Sequence, residues 1–147
     1  MNLTDVENKD PLFVTVNLAD TLPQTAANYG MFFTAHRPYE VVKITEVHGT
    51  LGTDAGAVTL QVEKLTGTTA KGSGTNIITT AFDLKSANNT VVTKNVTDLV
   101  GLTTGSYPTF LATGDRLALK TTGVLTAIKD IQVTVTLRPN GKGHYTI

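Results

Sequence analysis

Apolar and polar residues alternate in short runs along most of this chain. In FVTVNL, residues 13–18, Val14, Val16 and Leu18 are interleaved with Thr15 and Asn17. In AVTLQVEKL, residues 57–65, Val58, Leu60 and Val62 fall on one face, and Thr59, Gln61 and Glu63 on the other. DRLALKT, residues 115–121, places Leu117 and Leu119 inward and Arg116, Ala118 and Lys120 outward. IQVTVTLRP, residues 131–139, sets Ile131, Val133, Val135 and Leu137 against Gln132, Thr134, Thr136 and Arg138, and Pro139 ends the run. A period of two is the signature of a half-buried strand. MFFTA (31–35), VVKITEVHGTL (41–51), NIITTAFDL (76–84) and NTVVTKNVT (89–97) also read as strands. HRPYE reads as a turn around Pro38. In ADTLPQTAANYG, Asp20 or Thr21 could cap a helical turn stopped by Gly30, and a loop fits equally well. Seven to nine strands with regular turn signals and no long helix predict an all-β fold, an antiparallel β-sandwich or barrel. Residues 1–12 read as an N-terminal arm, 13–139 as one sandwich domain, and 140–147 as a C-terminal tail.

Composition agrees with that pattern. A chain of 147 residues is of ordinary size for one domain with its own core. Charged residues make up 16%, below the usual quarter. Threonine takes their place, at roughly one residue in five, and its β-branched side chain suits the outer face of a strand. The formal net charge is zero, so there is neither a basic nucleic-acid footprint nor a polybasic membrane surface. The absence of cysteine excludes disulfides, thiolate metal sites and cysteine nucleophiles. MNLTDVENKD lacks the apolar core of a signal peptide, and the expectation is a chain made and used without Sec export.

One stretch invites a chemical reading. KLTGTTAKGSGTNII, residues 64–78, combines glycines, a lysine and threonines between apolar runs. A phosphate-binding loop needs its glycines between a strand and a helix, whose N-terminal amides hold the anion. Here a β-branched run follows, and the Walker spacing is absent. The stretch TGTTAKGSGTN therefore reads as a strand-to-strand loop at one end of the sandwich. It points to solvent or a neighbour, can be replaced by a Gly-Gly link, and leaves Gly72 and Gly74 free to take positive φ. His36, His48 and His144 lack the i, i+2 or i, i+4 spacing of a metal site, and read as solvated or singly bonded. Asp54, Asp83, Asp98 and Asp115 border turns, where carboxylates accept bonds from local backbone amides. Tyr29, Phe32, Phe33, Tyr39, Tyr107 and Phe110 are either core and interface contacts or a sugar-stacking surface. No constellation of residues indicates an enzyme, a metal site or a cofactor.

Two long stretches carry a resemblance. They are TAANYGMFFTAHRPYEVVKITEVHGTLGTDAGAVTLQVEKLTGTTAKGSGTNIITTAFDLKSANNTV and LATGDRLALKTTGVLTAIKDIQVTVTLRP, together most of residues 25–139. They resemble small virion structural proteins of tailed bacteriophages, most tellingly in VEKLTGTTAKGSGT and GDRLAL. The resemblance implies a jelly-roll-like sandwich of about eight strands and a homotrimer on the outer surface of the phage head. Its partners would be the major capsid protein and copies of itself, with no nucleic acid and no membrane. Its role would be that of a capsid decoration (cement) protein. A head-fibre or tail-associated component and a carbohydrate-binding adhesion module are the alternatives. Leu3, Val6 and Leu12 in the arm are candidate partner contacts, as are His36, Arg37 and Tyr39 in the turn, because Tyr and Arg are enriched in interface hot spots.

Overall fold

The computed structural model describes residues 10–18, 30–100 and 109–139. These form ten strands: β1 Leu12–Leu18, β2 Met31–Thr34, β3 Tyr39–Val47, β4 Thr59–Leu65, β5 Thr75–Asn76, β6 Phe82–Asp83, β7 Val92–Lys94, β8 Phe110–Leu111, β9 Arg116–Thr122 and β10 Ile131–Pro139. Among the described residues there is no α-helix, only a 3-10 turn at Val96–Asp98. Residues 1–9 of the arm, the segment 19–29 and the tail from 140 lie outside the described residues.

All strand pairs are antiparallel. One sheet has the order β1-β10-β3-β7, with β8 also on β3; the other has the order β2-β9-β4-β5, with β6 also on β4. The chain changes sheet between β1 and β2, β2 and β3, β3 and β4, β6 and β7, β8 and β9, and β9 and β10. First and last strands lie side by side, which is the order of a jelly roll. The ten strands occupy eight sheet positions, because β5 and β6 share one flank of β4, and β7 and β8 share one flank of β3.

The alternation read from sequence sets the core. Ile131, Val133, Val135 and Leu137 of β10 are buried, with Val14, Val16 and Leu18 of β1 packed beside them. Leu60 and Val62 of β4 and Leu117 and Leu119 of β9 face them from the second sheet. One irregularity is needed to keep β3 in this pattern. Val41 and Ile44 are both buried although an odd number of positions apart. Thr136 pairs with Lys43 but Leu137 pairs with Val41, so Val42 is an extra residue in β3. Such a bulge turns the strand by one position, and both apolar residues reach the core.

Residues 76–84, expected as one strand, are broken into β5, an isolated bridge at Ile78 and β6. The break has a cause in β4. The Gln61 side chain donates to the Ile78 carbonyl at 2.8 Å and accepts from its N–H at 3.0 Å. A side-chain amide thus takes the place of a neighbouring backbone, satisfying both buried polar groups of Ile78 without a ladder. The chain then turns toward the 3-10 segment, where Thr79 N–H donates to Asp98 and Val100 N–H to Ile77. At the other end of β4, Lys64 donates to the Phe110 carbonyl at 2.7 Å and pairs with Asp115 at 3.3 Å, both groups largely buried.

The bulge is testable. Deleting Val42 removes the extra residue and leaves Val41 opposite Leu137 and two positions from Ile44, so both still face the core. The deletion is expected to cost less than Ile44→Ala, itself about 2–5 kcal/mol. Urea unfolding of the two variants compares them; a deletion costlier than the truncation would remove the register argument.

Candidate functional site

The glycine-rich loop does cradle an anion, and the anion is the protein's own. Glu63 lies on the outer face of β4 and is 0% exposed. Its carboxylate accepts a short hydrogen bond from Gly72 N–H and another, at 2.9 Å, from Gly74 N–H. Two turns shape the approach: Thr69 N–H donates to Thr66, and Ser73 N–H to Ala70. Gly72 has φ +87°, a left-handed conformation suited to glycine. Gly74 has no such φ; a Cβ there would meet the Lys64 carbonyl oxygen at 2.5 Å, so glycine is required by close approach. Arg116 holds the start of the loop, donating to the carbonyls of Gly67 at 2.7 Å and Thr69 at 3.1 Å. Backbone amides converging on a carboxylate form an anion nest. The loop tip is exposed as expected. Its backbone, however, is anchored to β4, which corrects the expectation of a replaceable link. Gln61, Leu65 and Ala118 on the same outer face are buried too, so Ala118 faces outward without reaching solvent.

A second buried acid faces the opposite way. Beyond the bulge, Ile44, Glu46 and His48 share the inward face of β3 and its extension. Glu46 is 1% and His48 0% exposed, and His48 Nδ1 lies 2.9 Å from Glu46 Oε1. Glu46 Oε2 and His48 Nε2 are buried without a hydrogen-bond partner. Burial raises the Glu46 carboxyl above the ordinary glutamate range, against the opposing influence of the bond and charge of His48. His48 is therefore singly bonded, as expected, but inside the core. Of the turn-bordering carboxylates, Asp83, Asp98 and Asp115 accept local amides of Lys85, Asn95 and Ala112, each at 2.9 Å. Asp54 reaches farther, to Val124 N–H at 3.1 Å. Among the described residues, no three of His, Asp and Glu gather as metal ligands would.

The surface candidates separate. Leu3 and Val6 lie outside the described residues. Leu12 opens β1 and is 38% exposed. His36 is exposed on the bend before β3. Arg37 is half-buried, its Nε unpartnered. Tyr39 is half-buried, its ring edge-on to Phe33 with centroids 5.9 Å apart. Phe32 and Phe33 also pack against the core, so these three aromatics are core contacts; Tyr29 and Tyr107 lie outside the described residues. Sequence reasoning missed how polar residues line up across strands. Thr15, Thr134, Thr45 and Thr93 form one row across β1, β10, β3 and β7 on the outer face of the first sheet. Thr15 and Thr134 hydroxyls are 2.9 Å apart. Gln132 donates to Asn17 at 3.0 Å in the neighbouring row. Thr15, Asn17, Gln132 and Thr134 were legible on the polar side of their strands, but only strand register places them side by side and adds Thr45 and Thr93 to the row.

The fold has a known counterpart. A chain of the cyanophage Pam1 capsid asymmetric unit superposes on this one with a TM-score of 0.54 at 16% sequence identity, covering 90% of this chain and 86% of that one. At this identity the likeness is one of fold. No family model matches the sequence, and no curated protein matches it. The jelly roll is thus shared with a capsid component over most of both chains, whereas the two buried acids and the threonine row are features read from this chain itself.

Two outcomes are expected. Glu63→Ala removes the acceptor of two amides and should cost about 2–3 kcal/mol, and Gly74→Ala should also destabilise; Thr68→Ala, on the exposed tip, should stay within about 0.5 kcal/mol. Denaturant midpoints decide this, and a silent Glu63→Ala would mean that the loop is independently stable. For Glu46 the sign follows from its raised carboxyl. The folded protein retains a proton that the unfolded chain has released, so this contribution is full below the ordinary glutamate value and lost as pH rises through the raised one. From about pH 4 to about pH 7, the melting temperature of the native protein should fall relative to Glu46→Gln. A constant difference would show that Glu46 ionises alike in both states.

Proposed function

We propose that this protein is a non-enzymatic structural component of a tailed-phage virion, and specifically a decoration (cement) protein on the outer surface of the head. The observation that carries the reading is a jelly roll shared over 90% of the chain with a component of a phage capsid. The resemblance of residues 25–139 to small virion proteins points the same way. In this role the major capsid protein and further copies of the chain, arranged as a homotrimer, are the partners. No cofactor, nucleic acid or membrane takes part.

The physics of the role suits the surface. A decoration protein binds the assembled lattice and not the free subunit, so it stabilises the shell by mass action, and many sites acting together add avidity. It needs a rigid body and a surface of satisfied, uncharged hydrogen-bonding groups. The rows through Thr15 and Asn17 supply such groups. Leu12, His36, Arg37 and Tyr39 remain the candidate capsid contacts within the described residues, with Leu3 and Val6 in the arm before them.

Quantitative mass spectrometry of purified virions tests the assignment. A copy number comparable to that of the major capsid protein is expected, together with particles that assemble but burst at lower temperature when this protein is deleted. A far lower copy number would move it to a vertex, fibre or tail. Absence from the particle would overturn the virion role.

A further inference from the structure

β1 is an edge strand built to pair. Among the described residues it pairs with β10 alone, in unbroken register from Leu12 to Leu18. Sheet edges in soluble proteins are blunted by charge, proline, bulges or short length. β1 has none of these: LFVTVNL is seven residues long, uncharged and free of proline, and the irregularity of its sheet lies between β10 and β3. Its first residues are exposed apolar side chains, Leu12 at 38% and Phe13 at 61%.

The strand is also close to a palindrome about Thr15. Read outward from that residue, Val14 answers Val16, Phe13 answers Asn17 and Leu12 answers Leu18. An antiparallel pair centred on Thr15 would therefore set Val14 against Val16 and Leu12 against Leu18 on the core face. On the outer face it would set Thr15 against Thr15 and Phe13 against Asn17. On the core face apolar residues meet apolar ones, at the centre of the outer face threonine meets threonine, and no like charges meet. A contact in which the same patch serves both partners is isologous and has two-fold symmetry.

We infer that two copies of this chain pair through β1, antiparallel and centred on Thr15, joining their first sheets into one continuous sheet. The partner is a second copy because the strand complements its own reversed sequence. The inference does not rest on the virion reading. A two-fold contact cannot close a trimer; it pairs single chains or joins one trimer to the next, and either gives an even number of chains.

Sedimentation equilibrium of the full chain tests this. The native protein should contain an even number of chains, and Thr15→Lys, which sets two like charges against each other across the two-fold axis, should halve that number. Thr15 is exposed, so the variant should keep its melting transition, checked by circular dichroism. The double variant F13K/N17E sets opposite charges across the axis and should keep the even number, dissociating about tenfold more readily as salt rises from 0.05 to 0.5 M. A monomeric or trimeric native protein would overturn the inference, as would an assembly unchanged by Thr15→Lys or one lost in F13K/N17E.

Discussion

A carboxylate placed inside a protein must be supplied with hydrogen-bond donors, and Glu63 imposes that requirement on one half of this fold. β4 is buried on both faces, with Leu60 and Val62 toward the other sheet and Gln61, Glu63 and Leu65 away from it. A strand in that position needs cover, and polar side chains on the covered face need partners in the cover. The segment after β4 meets both demands. It folds back, gives two amides to Glu63 and both peptide groups of Ile78 to Gln61, and then crosses to the other sheet. The polar residues of β4 are therefore the template on which the loop and the irregular strands after it are laid.

The same physics explains what the sequence disclosed. β1, β9 and β10 were legible because their large apolar residues all lie on one face, so their periods of two survive even where a small or polar outer residue such as Ala118 or Thr136 is covered. The core residues of β4 were legible for the same reason. Its covered face was not, because Thr59, Gln61 and Glu63 read as the polar side of an ordinary half-exposed strand. Nothing in their identity shows that a distant turn supplies the donors. The bulge at Val42 was hidden among apolar residues that fit either face. The breaking of residues 76–84 was hidden because Gln61, fifteen or more positions earlier, makes the bonds that would otherwise belong to a strand. The glycines of the loop were noticed and their partner was not, since an anion nest leaves its mark in the amides and says little about which anion fills it.

The two buried acids sit in opposite circumstances. Glu63 has both carboxylate oxygens engaged by backbone donors. Glu46 has one oxygen engaged by His48 and the other without a partner. Burial raises the Glu46 carboxyl above the ordinary glutamate range, whereas Glu63 anchors the loop that covers β4. Neither requires a pocket open to solvent.

The adjacency of first and last strands has a consequence for how the chain is made. Ribosomal synthesis proceeds at roughly 5–20 residues per second from the N-terminus. β1 emerges well before its partner β10, with eight strands between them in chain order. For several seconds the nascent chain must carry an apolar, uncharged strand with neither of its edges satisfied. On a polysome, with identical chains growing side by side, a self-complementary strand in that condition is as able to meet its twin as its own sheet. Chain order therefore leaves β1 without its own partner for most of the synthesis of the sandwich, before the sandwich has closed.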